Sequence, residues 1–218
     1  MAAIDGNSQI LDLWTRYHLF DRTIEHLAIF GVAFIVAAVI GLCIGLLLYR
    51  RQAASTLTFG GLSVLEMVPD LALLALLIPV VGIGTVPTIL ACIGYSVLPV
   101  ARNTYAGLIH VSATHLDAGA GIGLDEQETL FLVRFPLALP LIVGGCRIAV
   151  VFCMGTVTLG GLIGAGGLGG PLQTGIATNN QPLLLLTGIW IGVLAVLLDG
   201  FAGTVEGWVS RRYGLWSS

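Results

Sequence analysis

Four charged side chains, Glu66, Asp70, Arg102 and Arg147, sit in or beside stretches that are otherwise apolar. A charge placed in hydrocarbon without a partner is costly, so such residues turn toward protein or a water-filled path. Glu66 and Asp70 are four apart and share one face of any helix that contains both. Their spacing fits two chemistries: a structural ion pair, with Arg102 or Arg147, or the polar lining of a translocation pathway. Arg147 is likewise either a pore-side residue or a strut between helices. Asp199 and Glu206, close to the end of the last apolar run, read as anchors at the membrane–water boundary rather than as contacts for cargo.

Other kinds of chemistry lack their residues. All 9 basic residues are arginine. A P-loop needs a lysine on the nucleotide phosphates and a Schiff-base enzyme needs an amine, so neither can be built here. Any ATP hydrolysis must come from a partner; the chain itself is expected to be no enzyme, to make and break no covalent bond and to hold no cofactor. Cys43, Cys92, Cys146 and Cys153 each lie in an apolar run without CxxC or Cys/His spacing, and read as small buried hydrophobes. His18, His26, His110 and His115 form no HExxH pair, so no metal site is expected. Gly164-x-Gly166-x-x-Gly169 spells the dinucleotide fingerprint by letters, but it follows an apolar helix rather than a strand and reads as a flexible connection on the outer face.

The elements that position these residues follow from composition. The chain is 56% hydrophobic and 10% charged, against about 25% charged for a soluble domain. Uncharged runs long enough to cross a bilayer, which takes about 20 residues, belong in lipid. Residues 27–49 form the first. Residues 53–101 carry only Glu66 and Asp70, and the stretch 79–87, with a proline at each end, divides them into a second and a third span. Residues 137–160, with Arg147, make a fourth, and 183–205, with Asp199, a fifth. The fold class is all-α, with five transmembrane helices. Gly60, Gly61 and Pro69 should kink the second span. The pairs Gly41/Gly45, Gly160/Gly164 and Gly188/Gly192 allow close helix approach, within one subunit or at a subunit interface.

Five spans put the termini on opposite sides. Arg50, Arg51, Arg134, Arg211 and Arg212 outnumber Arg16 and Arg22, which predicts an external N-terminus and a cytoplasmic C-terminus in the cell membrane. Residues 1–23 carry Asp5, Asp12, Arg16, Asp21 and Arg22 with no apolar signal core, so the first span is expected to direct insertion. Ile10, Leu13, Trp14, Tyr17 and Ile24 recur at helical spacing and suggest an interfacial helix. The expected organisation is an external segment 1–23, a membrane domain 24–207 and a cytoplasmic tail 208–218.

Residues 112–135 form the one long polar stretch between spans. Thr114 with Asp117, and Asp125 with Glu128, have capping-box spacing, which predicts two short helices broken at 121–123, the second stopped by Pro136. Leu130, Phe131 and Val133 give that helix an apolar side, as a docking element would need. The stretch resembles the cytoplasmic signature of permease subunits of type I ATP-binding-cassette importers: Glu-Ala-Ala, three residues, Gly, nine residues, Ile-x-Leu-Pro. Here it reads Asp117-Ala118-Gly119, then Gly123, then Val133-Arg134-Phe135-Pro136, with Asp for Glu and Gly for the second Ala. Residues 79–87, 98–107, 136–140 and 162–169 are most similar to the osmoprotectant branch, and the likeness runs from about Leu57 to Glu206.

The resemblance implies an importer permease for glycine betaine, choline, carnitine or proline betaine. It implies two permease subunits, identical or paralogous, two ATPase subunits that use ATP and Mg, and an external solute-binding protein. Asp117, Ala118, Gly119, Gly123, Val133 and Pro136 would couple to the ATPase, and Glu66 and Asp70 could line a path that tolerates a quaternary ammonium. Permeases for methionine or a sulfonate share the signature but not the 79–107 block. A secondary transporter or channel would show inverted repeats or a selectivity filter, and neither is evident.

Overall fold

The computed structural model describes residues 6–213, and these are helices joined by short turns with no strand among them. Residues 1–5, which open the expected external segment, and 214–218, which close the expected tail, lie outside the described residues. Among the described residues four helices are long and apolar enough to cross a membrane: α2 (Leu19–Leu48), α5 (Thr85–Ile109), α8 (Phe135–Gly160) and α10 (Gln181–Tyr213). The expected second span is a bent pair, α3 (Gln52–Glu66) and α4 (Asp70–Val81), whose axes differ by 94°.

The break has a local cause. Pro69 lies extended at φ −60°, ψ 140°, and a residue ahead of proline is pushed out of helical geometry, so α3 ends and α4 starts afresh at Asp70. Gly60 and Gly61, also expected to kink the span, sit inside an unbroken α3. Glu66 is therefore the last residue of one helix and Asp70 the first of the next, so the two do not share a helix face.

The chain divides into two compact units, to both of which α2, α5, α8 and α10 contribute. The first takes in the chain up to Phe34, Val68–Ile93 and Cys153–Leu197. It holds α1 (Gly6–Arg16) and α9 (Gly169–Ala177) around a core in which Leu19, Leu74, Leu168 and Leu183 are fully buried. The turn between α1 and α2 falls at Tyr17 and His18, the latter at φ 49°, so Ile24 belongs to α2. Trp14 packs edge-on against Trp190, whose indole N–H donates to Thr23 at 2.9 Å. The connection from α8 to α9 is compact rather than loose: a 3₁₀ turn (Gly161–Ile163) leads into Gly164, Gly166 and Gly167, all at positive φ, while Ala165, Gly167 and Leu168 are buried.

The second unit takes in Ile35–Met67, Gly94–Phe152 and the chain from Leu198 onward. Leu108, Ala138 and Ile142 form its core, with Leu42, Leu46, Tyr49, Leu130 and Phe135 packed around them. Gly41 and Gly45 press against Val100 and Thr104 of α5, so this small-residue pair serves packing inside the chain. Gly188 and Gly192, by contrast, meet nothing within 4 Å. The polar stretch folds as α6 (Ala113–Gly121), the single turn α7 (Glu126–Glu128) and a π turn (Thr129–Arg134) that runs directly into α8.

Candidate functional site

Each turn of the 112–135 segment has an identifiable cause. The helix α6 ends at Gly121 with Ile122 as its cap, and Gly123 follows at φ +86°. The Gly123 amide donates to the Ala120 carbonyl at 3.0 Å and the Leu124 amide to Gly119 at 3.1 Å. This pair of bonds is a Schellman closure, which needs a left-handed residue at its turn and so favours glycine. A Cβ on Gly123 would meet nothing within 4 Å, so backbone geometry, not space, selects the residue. Asp125 then starts α7: its carboxylate accepts from Gln127 and Glu128 amides at 2.7 and 2.8 Å, and Glu128 returns a carboxylate oxygen to the Asp125 amide at 2.9 Å. The capping box expected at Asp125 and Glu128 is complete.

The companion box at Thr114 and Asp117 does not form, because α6 begins two residues earlier: Ser112 occupies the cap position and its hydroxyl meets His115 Nδ1 at 2.6 Å. Pro136 does not stop the second helix either. It lies in the first turn of α8, and the widened turn before it absorbs the missing amide that would break regular α geometry.

The six signature positions form one folded unit. Gly119 is buried, and a Cβ there would stand 3.4 Å from Leu124 Cδ1 and 3.5 Å from Val133 Cγ2, so Val133 closes the turn against α6. Asp117 and Ala118 are exposed on α6, and Pro136 is half-buried. Ile122, Phe131 and Leu132 are 79%, 63% and 64% exposed, large apolar side chains presented by an otherwise polar segment.

Three residues that the sequence flagged only as charges or not at all tie this unit to its surroundings. Arg50, just beyond α2, donates to Glu126 at 2.6 Å, and the guanidiniums of Arg50 and Arg134 lie 5.2 and 5.8 Å from the Tyr49 ring centre. Arg134 also donates to the Leu108 carbonyl at 2.8 Å, in the last turn of α5, where helix carbonyls lack partners. The bond from Glu126 raises the Arg50 pKa above its ordinary value, so that cation stays charged. Arginine spacing marked these positions as cytoplasmic flanks; only the fold reveals that two of them bracket one tyrosine.

The polar residues expected along a pathway do not come together as one set. Arg147 of α8 pairs with Asp199 of α10 through two hydrogen bonds, at 2.7 and 2.8 Å, and reaches Glu206 at 3.1 Å. Asp199 and Glu206, read from sequence as boundary anchors, thus clasp Arg147, two turns apart on one helix face. Gly203 lies between them, where a Cβ would stand 3.2 Å from the guanidinium carbon. Arg102 donates to the Ser63 hydroxyl, one turn before Glu66. Asp70 accepts from Thr156 at 3.1 Å and, at the start of α4, its negative charge suits the helix dipole. A cavity of about 320 Å³ lined by Asn103, Pro140, Leu141, Gly144, Glu206 and Ser210 adjoins the Arg147 cluster. Among the described residues no group of three or more His, Cys, Asp or Glu is placed to hold a metal ion.

Comparison with known proteins sets this architecture in a family. Residues 31–211 match the family model described as binding-protein-dependent transport system inner membrane component. The chain is 35% identical over 188 residues, 86% of its own length and 87% of the relative's, to the glycine betaine/carnitine/choline transport system permease protein OpuCB of Bacillus subtilis (strain 168). It is 36% identical to the osmoprotectant import permease protein OsmW of Salmonella typhimurium, covering 84% of this chain and 87% of that one. The inward-facing MetNI methionine ABC transporter shares its fold, with a TM-score of 0.76, 24% identity, and coverage of 88% and 96% of the two chains. The match across most of the chain, together with the spans and the capped segment between α5 and α8, shows that this protein belongs to the inner membrane components of binding-protein-dependent transport systems.

Proposed function

We propose that the chain is the membrane-spanning permease subunit of an ATP-driven importer whose solute is a betaine, choline or carnitine, moved by alternating access. The observation that carries the ATP-driven reading is the 112–135 unit: a Schellman-closed helix, a complete capping box and the exposed apolar side chains of Ile122, Phe131 and Leu132, a rigid element with a face for a partner's groove. The partner is an ATPase subunit that uses ATP and Mg. Asp117, Ala118, Gly119, Gly123, Val133 and Pro136 belong to the coupling element, either at its surface or in the turn that shapes it. A second permease subunit and an external solute-binding protein complete the assembly. The names of the relatives OpuCB and OsmW support the solute class.

In this reading the N-terminus is external and residue 126 faces the cytosol. ATP binding draws the ATPases together, the coupling element carries the displacement into α8, and the cavity between two permeases turns outward to receive solute from the binding protein. Glu66, Asp70 and Arg102 remain candidates for the lining, while Arg147, held by two carboxylates, acts as a strut.

Reconstitution in liposomes with the partner ATPases and binding protein tests the proposal. Betaine-loaded binding protein should stimulate ATP hydrolysis and uptake. Stimulation by a methionine- or sulfonate-loaded protein instead would overturn the solute class, and uptake independent of ATP would overturn the mechanism. A Glu126→Cys variant should react with a membrane-impermeant maleimide only after permeabilisation; labelling of intact cells would reverse the topology.

A further inference from the structure

Two cavities in the first unit border α1. Ile10, Leu13, Leu185, Leu186 and Ile189 dominate a groove of about 590 Å³ between α1 and the first turns of α10. Arg16, Tyr17, Arg22, Gln173 and Thr174 line a cleft of about 360 Å³ between the α1–α2 turn and α9. Residues 9, 10 and 13 border the groove and 16 and 17 the cleft, at the three- and four-residue spacing of a single helix face, so the two open on the same side of α1. The Trp14–Trp190 contact and the Trp190 bond to Thr23 hold α1 in place beside both.

Two guanidiniums line the cleft, and the Glu25 carboxylate lies against Gly166 at its edge. Arg22 is paired at its edge with Glu25 at 2.8 Å, and His18 with Asp21 at 3.6 Å, whereas Arg16 has no ion-pair partner among the described residues. Gly164 and Gly170, where a Cβ would meet nothing within 4 Å, leave room on the opposite wall. Residues 16–22 precede the uncharged run that starts at Leu27, which sets them at the depth of lipid phosphates. Ile10, Phe20 and Ile24 are 49%, 65% and 54% exposed around the site.

We propose that this face of α1 binds a phospholipid, its phosphate held by Arg16 and Arg22 and one acyl chain laid in the groove against Leu185, Leu186 and Ile189. Guanidinium forks match phosphate oxygens in geometry, and the apolar groove on the same side of α1 suits a hydrocarbon chain. A soluble partner's carboxylate would satisfy the arginines but leave the groove open to water. The bound lipid would fix the α1–α2 turn, where His18 holds a left-handed backbone.

Native mass spectrometry of the purified importer complex tests this with three probes: phosphatidylglycerol, diacylglycerol with the same chains, and inorganic phosphate. Phosphatidylglycerol should be retained, and the other two should not compete for it. Arg16→Gln with Arg22→Gln should cut retention about tenfold or more, the scale of a lost charge-assisted contact. Arg16→Gln alone, which leaves the Arg22–Glu25 pair intact, should reduce it in part, and Ile189→Asn should weaken retention without touching the arginines. Unchanged melting temperature and subunit composition show that each variant is folded. Equal retention in the double variant, equal binding of diacylglycerol, or full occupancy by inorganic phosphate would overturn the proposal. So would loss of binding-protein docking in the double variant with lipid retention unchanged, which would make the arginines a protein contact.

Discussion

Arg147 and Asp199 meet side on, Nε and Nη2 of the guanidinium donating to the two carboxylate oxygens at 2.7 and 2.8 Å. Because the Nη1 atom also reaches Glu206, one cation offsets two anions on the same face of α10. Arg147→Ala should therefore lower the melting temperature in detergent more than Asp199→Asn does, since it leaves two carboxylates on one helix face with no cation between them. The double variant should be less destabilised than the sum of the two single variants, as coupled partners require. Additive losses would show that the contact carries no coupling.

Gly123 owes its identity to backbone geometry. Gly123→Val should cost about 1–2 kcal/mol through the left-handed conformation alone, although the site is open. The reading of this turn as part of the coupling element adds a functional outcome: basal ATP hydrolysis by the reconstituted complex persists while solute-stimulated uptake falls. Gly123→Asn should retain more uptake, because asparagine tolerates that conformation better. Equal uptake in the valine variant would remove the turn from coupling.

Gly119→Ala should leave stability unchanged or raise it by about 1 kcal/mol, by helix propensity. The added methyl would meet Leu124 and Val133 at 3.4 and 3.5 Å, ordinary contact distances. The family signature has alanine at this position, and the structure has room for it. A fall in melting temperature would mean that α6 packs more tightly than these distances indicate.

Asp125→Ala should destabilise the capped turn by about 1 kcal/mol, since it removes the acceptor for two amides at once. Glu126→Gln, which weakens only an exposed pair with Arg50, should cost at most about 1 kcal/mol and less at high salt. Hydrogen exchange at residues 127 and 128 separates the two, and a larger effect from Glu126→Gln would reverse their ranking.

Cys92 and Cys153 are buried with their sulfurs 2.6 Å apart. Copper phenanthroline and oxygen should join them as a disulfide, the two thiols losing two protons and two electrons to the oxidant, and mass spectrometry of a digest should recover the cross-linked peptide. Neither Cys43 nor Cys146 should appear in that link. Recovery of both thiols unmodified after prolonged oxidation would argue against the pairing.

Much of the helical layout was legible in the sequence because its cause is local: uncharged runs mark spans, and an aspartate three residues before a glutamate marks a helix start. The Asp125–Glu128 box and the break near Gly123 follow from such short-range rules. The partners of Arg147 were not legible, since they lie 52 and 59 residues away and any of several carboxylates satisfied the same need. The sharp bend at Pro69 was underestimated as a kink, which put Glu66 and Asp70 on one face; proline spoke for a break, but only the fold gives its 94° angle. The Arg50–Tyr49–Arg134 bracket left no pattern at all, because it joins residues from two separate boundaries of the chain.

The π turn at Thr129–Arg134 has a mechanical consequence. An α-helix advances about 100° and 1.5 Å per residue, so a turn wound with one residue more than α geometry needs holds that residue in reserve. Rewinding it to the tighter pitch would swivel Phe131 and Leu132 about the axis of α8 by roughly a quarter turn with no covalent strain and no melting of the rod. In the reading of this segment as a coupling element, that slack would lie where the exposed Phe131 and Leu132 join α8.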